Sequence, residues 1–251
     1  MRIIILVISV LFFQAISADA IILPMRERAQ VIDEIVDERI ETVLPGLMER
    51  TGIDMWVIIS REYNEDPVLK TFLPSTWQTA RRRTILLIYN PGSGKPLETL
   101  AVARYGVGKT FIKAWDKELH GDQWKRLAEL IEERNPNKIG INYSDTFALA
   151  DGITHTEYDL FLESLKPVQR NKVISAEKLA VGWLETRSKT EKIIYQQICR
   201  IAHEILAAGL TDEVIQPGIT TTNDVAWWYR DRIRELKLTA WFHPSVSIQR
   251  E

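Results

Sequence analysis

The sequence predicts an α/β unit, a mixed sheet flanked by helices, followed by a region of helical character. Three observations carry this. Short apolar runs rich in β-branched residues stand at positions 55–59 and 84–89. Helical patterns then alternate with short strands from Trp124 to Ile174. After Ala176 the pattern becomes helical.

The elements follow in order. Residues 26–44 place Ile32, Ile35, Val36, Ile40 and Val43 at spacings of three and four among charged residues, the pattern of an amphipathic helix. Pro45 ends or kinks it, and Gly52 closes the last turn. Residues 55–59 suit a strand buried on both faces. Residues 61–79 read as a loop with Pro67 and Pro74. A second buried strand at 84–89 leads through Asn90-Pro91-Gly92-Ser93-Gly94 into a third strand at 97–105. Trp124, Leu127, Ala128 and Ile131 mark a helix that stops before Pro136. Ile139 and Ile141 begin another strand. Tyr158, Phe161, Leu162 and Leu165 mark a helix ended by Pro167, and Val173 and Ile174 give a short strand. Ser188-Lys189-Thr190-Glu191 is a capping box, in which the Ser oxygen and the Glu side chain serve opposing backbone donors. The helix it opens carries Ile194, Ile198, Ile201 and Ile205 in one stripe. Pro217-Gly218 breaks the chain, and Thr221 starts a helix with Val225, Trp228, Tyr229 and Ile233 on one face. Residues 241–248 read as extended.

The 251 residues are 45% hydrophobic and 26% charged with a formal charge of -2, so neither disorder nor an electrostatic partnership with nucleic acid is expected. A single cysteine, Cys199, excludes an internal disulfide and a cysteine-built zinc site. It lies in a helical pattern and reads as a packing residue rather than a nucleophile. Arg2, the apolar run 3–13 and Ala18-Asp19-Ala20 have the layout of a signal peptide, so residues 1–20 are expected to be removed on export to a periplasmic or extracellular compartment.

Candidate chemistry is sparse. Ala103 to Thr110 reads A-R-Y-G-V-G-K-T, a relaxed phosphate-loop pattern that would bind nucleotide through Lys109 and Thr110. A phosphate loop must open a long helix, and residues 111–115 run too soon into Gly121 for that. A bend at a strand end is the simpler reading. His120, His155, His203 and His243 form no H-E-x-x-H pair; His155 and Asp159 share a helix face but are two ligands only. Asp33-Glu34, Asp37-Glu38 and Glu132-Glu133 lie on polar helix faces. Arg81-Arg82-Arg83 reads as an edge or domain-contact feature.

Three stretches resemble a known family. Residues 185–194, E-T-R-S-K-T-E-K-I-I, followed by I-Q-P-G-I-T-T-T-N-D-V-A at 215–226, resemble the opening of the pita-bread domain of the creatinase and aminopeptidase P family. G-I-D-M-W-V-I-I-S-R-E-Y-N at 52–64 resembles the first strand of the creatinase-type N-terminal domain. The resemblance implies a creatinase-like N-terminal domain over 21–176 and the start of an incomplete α+β pita-bread domain over 177–251. It also implies an Xaa-Pro peptidase chemistry using two divalent metal ions held by two Asp, one His and two Glu. No counterpart of those five ligands is found in this sequence, so neither catalytic nor metal residues are assigned. His243 is the one candidate for substrate binding. On this reading the chain is the N-terminal part of an exported metallopeptidase, inactive as given, with peptides as substrates of the complete enzyme and a homo-oligomer as its expected assembly. A non-catalytic binding or assembly module from the same family is the alternative.

Overall fold

A computed structural model describes residues 22–249. The signal-peptide expectation for residues 1–20 lies outside the described residues. The chain divides into two compact units: Pro24–Ile194, and a second whose described residues are 22–23 and 195–249.

In the first unit, helix α1 (Met25–Thr42) is followed after one residue by α2 (Leu44–Thr51). Pro45 therefore begins a helix as well as ending one, because a first-turn residue has no intrahelical N–H bond to lose. Gly52, at φ +66°, caps α2 by donating to the Met48 and Glu49 carbonyls. Strand β1 (Met55–Arg61) follows, then a short helix α3 (Pro67–Lys70) inside the stretch expected to be a loop. Strands β2 (Arg83–Tyr89) and β3 (Glu98–Val102) match the two expected strands. The two-residue strand β4 (Ile112–Lys113) and helix α4 (Lys117–His120) are too short to leave a periodic signal. Helix α5 (Gln123–Arg134), strand β5 (Ile139–Ile141), a 3-10 turn (Ala148–Ala150) and helix α6 (His155–Ser164) come next. Pro167 again starts a helix, α7 (Pro167–Arg170), before strand β6 (Val173–Ser175) and helix α8 (Glu177–Glu185).

The six strands form one mixed sheet in the order β4-β3-β2-β1-β5-β6. β1 pairs antiparallel with β2 (Trp56 opposite Ile88) and parallel with β5 (Met55 beside Ile139). β2–β3 is antiparallel; β3–β4 and β5–β6 are parallel. The expected mixed sheet flanked by helices is thus the fold of this unit. Six of the seven β1 residues are buried, and alternate side chains enter opposite layers. Trp56 and Ile58 pack with α1, α2, α3 and α8 through Ile40, Leu47, Leu69 and Trp183. Met55, Val57 and Ile59 pack with α5 and α6 through Leu127, Ile131 and Phe161. Both faces of the strand are covered, which explains its unbroken apolar run.

The compositional change near Ala176 falls inside this unit. α8 buries Leu179, Ala180 and Trp183 in the first layer. The Trp183 ring stacks on Phe72 at 4.4 Å, and its Nε1 donates to Thr71 Oγ1 at 2.7 Å. Arg39 lies 4.1 Å over the same ring and donates to the Trp183 carbonyl. Arg39 also pairs with Glu191 at 3.4 Å.

The Ser188 capping box forms as expected. Glu191 N–H donates to Ser188 Oγ at 3.2 Å, and Ser188 N–H to Glu191 Oε2 at 2.8 Å. It opens helix α9 (Lys189–Ala208), whose last fourteen residues belong to the second unit. No α9 side chain is fully buried, and Ile198 in the stripe is exposed. A second capping box, Thr221 with Asp224, opens α10 (Thr222–Glu235). α10 buries Val225, Ala226 and Tyr229. The Tyr229 hydroxyl donates to the Leu206 carbonyl at 2.9 Å. Residues 241–248 form no strand; no described backbone pairs with them, and Trp241 and Phe242 are exposed.

Trp183→Ala should remove the aromatic stack and leave a cavity against Phe72. The expected loss is about 3–5 kcal/mol of unfolding free energy, measured by urea denaturation. A loss below about 1 kcal/mol would mean that α8 is not part of this core.

Candidate functional site

The functional features of the first unit gather at the carboxyl end of β1. Arg61 ends the strand and is the cross-strand partner of Arg83 on β2. Two like charges directly opposite on one sheet face repel. Glu157, in the first turn of α6 and 1% exposed, answers that repulsion. Its carboxylate accepts from Arg83 Nε at 2.6 Å and Nη2 at 3.1 Å, while Arg61 Nε stays at 3.8 Å. The Arg83 guanidinium also lies 4.8 Å over the Trp124 ring. The sequence Thr154-His155-Thr156-Glu157 has the spacing of a capping box, and Glu157 N–H reaches Thr154 Oγ1 at 3.4 Å. The Glu157 side chain, however, turns to the arginines. That diversion needs a tertiary contact, so only the local half of the motif could be read from sequence.

The chain leaves β1 through a tight turn, with Asn64 N–H donating to the Arg61 carbonyl at 3.1 Å. Tyr63 occupies the turn position that favours glycine, at φ +70°, with an exposed ring. Arg82, at φ +58°, faces this turn and pairs with Glu62 at 3.4 Å. Left-handed backbone at a non-glycine residue costs about 1–2 kcal/mol. Together the two segments line a surface cavity of about 410 Å³ with Thr156, Glu157 and Leu160. Its eight lining residues bring three guanidinium groups, two carboxylates and the hydroxyls of Tyr63 and Thr156, an arrangement that offers charge for binding.

Behind the turn lies a buried polar chain. Trp56 Nε1 donates to Asn142 Oδ1 at 2.8 Å, and Asn142 Nδ2 donates to Asp66 Oδ2 at 2.8 Å. Asp66 Oδ1 accepts from Val68 N–H at 2.7 Å and Leu69 N–H at 3.3 Å, capping α3. Asp66 N–H in turn donates to Ser60 Oγ on β1 at 2.8 Å. Burial pushes the Asp66 carboxyl up to about 6, against the opposing pull of the hydrogen bonds from Asn142, Val68 and Leu69. Gly152 lies against this carboxylate, and a Cβ there would stand 2.1 Å from Asp66 Cγ.

The residues singled out in the sequence are dispersed. His243 is exposed in the irregular segment after α10. His155 pairs with Asp159 at 2.8 Å on the open face of α6. His120 Nδ1 accepts from Asp116 N–H at 2.9 Å. His203 lies four residues after Cys199 on α9, within helical reach of it, but no hydrogen bond joins the two; Cys199 is half-buried. Among the described residues, no three His, Cys, Asp or Glu side chains gather as a metal site. The nucleotide reading fails on geometry. Val107 and Phe111 close a tight loop through paired backbone hydrogen bonds at 3.0 and 3.1 Å, and a two-residue strand follows instead of a helix. The Thr110 hydroxyl is taken by Asp37 on α1. Arg81-Arg82-Arg83 splits three ways: Arg81 lies over Trp77, Arg82 pairs with Glu62, and Arg83 with Glu157.

No protein-family model matches the chain, and none of the curated proteins matches it. Among solved structures, an Xaa-Pro dipeptidase from Bacillus anthracis is similar, at 17% identity and a TM-score of 0.45 over 81% of this chain. The match covers 49% of that dipeptidase, so the chain spans about half its length. Among the described residues, no helix is long and apolar enough to cross a membrane.

Asp66 gives the site a pH signature. Its folded pKa lies above the ordinary carboxyl value of 3.8, so the folded state holds the proton more tightly than the unfolded chain. Stability on this account rises as pH falls through about 6 and levels off below about 4. Relative to Asp66→Asn, the wild-type unfolding free energy should gain roughly 1–1.5 kcal/mol between pH 7 and pH 5 in urea titrations. Parallel pH profiles for the two proteins would contradict the assignment.

Proposed function

We propose that this chain is the N-terminal part of an exported creatinase/aminopeptidase P-type metallopeptidase and does not hydrolyse peptides on its own. The observation that supports the reading is the order of three sequence stretches and the elements they occupy. Residues 52–64 form the α2 cap, β1 and the turn after it. Residues 185–194 carry the capping box that opens α9. Residues 215–226 carry the Pro-Gly break and the capped start of α10. A mixed-sheet unit followed by two successively capped helices is the order the family resemblance implies.

In that family two metal ions would polarise the peptide carbonyl and lower the pKa of a bridging water. The residues described here do not fit such a centre, because no three ligating side chains converge among them. No hydrolytic step is assigned to this chain. His243 is the one residue proposed to contact peptide, and its exposure leaves it accessible.

The test is to incubate the purified chain with manganese, zinc or cobalt, remove loose ions, and measure both bound metal and hydrolysis of Xaa-Pro dipeptides. The expected result is less than one ion per chain and turnover at the buffer rate. Tightly held metal with hydrolysis would overturn the reading. Peptide binding without hydrolysis, abolished by His243→Ala, would favour the non-catalytic module instead.

A further inference from the structure

We infer that the cavity at the end of β1 is a binding site for a small organic carboxylate, with Arg61 as the residue that ligates it. The inference does not depend on the family reading. Its first ground is an unbalanced charge. Arg61 and Arg83 are cross-strand partners and share one buried carboxylate, Glu157. Arg83 takes both of its oxygens at hydrogen-bond distance. Arg61 is held only at 3.8 Å, its guanidinium makes no side-chain hydrogen bond among the described residues, and it is 59% exposed. A guanidinium fork in this state presents paired donors that match a carboxylate in two parallel bonds.

The second ground is the shape of the surroundings. Arg61 lines the cavity of about 410 Å³ and an adjoining one of about 350 Å³ that reaches Asn64 and Thr154. Thr156 lines both and brings a hydroxyl, while Leu160 and the exposed Tyr63 bring apolar surface to the larger one. Tyr63 keeps a large ring there despite a left-handed backbone that suits glycine. A ligand with an apolar body and one anionic end uses both features. The third ground decides the charge. Arg82 and Arg83 are paired with Glu62 and Glu157 at 3.4 and 2.6 Å, and Arg61 is the lining cation held farthest from a carboxylate, at 3.8 Å. A monoanion balances it, whereas a dianion would meet the repulsion of Glu62.

The test follows the arginine Nε–H resonances of the nitrogen-15-labelled chain at low ionic strength during titration with benzoate and, separately, inorganic phosphate. Benzoate should move the Arg61 signal saturably, and phosphate should bind more weakly. Arg61→Gln, at an exposed position that leaves the Arg83–Glu157 pair in place, should weaken benzoate binding by about tenfold or more. Glu62→Gln should shift the preference toward phosphate. A linear, unsaturating response to benzoate, or saturable binding that Arg61→Gln leaves unchanged, overturns the site. Tighter binding of phosphate than of benzoate by the wild-type chain overturns its assignment to a carboxylate.

Discussion

The structure depends on burying β1 on both faces. A strand with six of seven residues buried cannot sit at the surface of a sheet, so the chain must supply two helical layers. The layers come from different parts of the sequence. α1, α2, α3 and α8 cover Trp56 and Ile58, and α5 and α6 cover Met55, Val57 and Ile59. Burial of each large side chain is worth about 1.5–3 kcal/mol, so neither layer is dispensable in a fold whose net stability is typically about 5–15 kcal/mol. The need for the first layer is what draws α8 into the unit.

The same burial creates a problem at the end of the strand. Trp56 carries an N–H into the core, and Arg83, on the neighbouring strand, directs a charge against α6. Each is answered by a side chain from a distant segment: Asn142 and then Asp66 for the indole, Glu157 for the guanidinium. A buried polar chain of this kind is stable only when every member is paired. Removing Glu157 would leave Arg61 and Arg83 facing one another across the sheet with no carboxylate between them. The same pairing commits both Glu157 oxygens to Arg83 and leaves Arg61 at 3.8 Å, so the electrostatic asymmetry of the cavity follows from how the core is closed.

Local physics made much of the fold legible in the sequence. The apolar runs of β1 and β2, the αL glycine after α2, and the capping boxes of α9 and α10 are all encoded within a few residues. Two prolines, Pro45 and Pro167, signal boundaries correctly, but from sequence alone they do not say that a new helix starts there. α8 is short, and its importance lies in Trp183 reaching Phe72 from 111 positions away, a contact with no local signature. The arginine–glutamate site was hidden for the same reason. Arg81-Arg82-Arg83 looks like one basic run, yet the strand pleat and the turn send its members to three partners. Residues 241–248, which read as extended, form no strand, because a strand exists only where another chain segment pairs with it.

The most direct test of this account compares two shortened chains, one ending at Ile194 and one ending at Ala176, by thermal unfolding and near-ultraviolet circular dichroism. The chain that keeps α8 should unfold in one cooperative transition and retain the aromatic signal of the packed Trp56, Phe72 and Trp183. The chain that ends at Ala176 should lose that signal and unfold without a sharp transition. Equal cooperativity and equal aromatic signal, apart from the contribution of Trp183 itself, would contradict the claim that both faces of β1 must be covered for this unit to hold together.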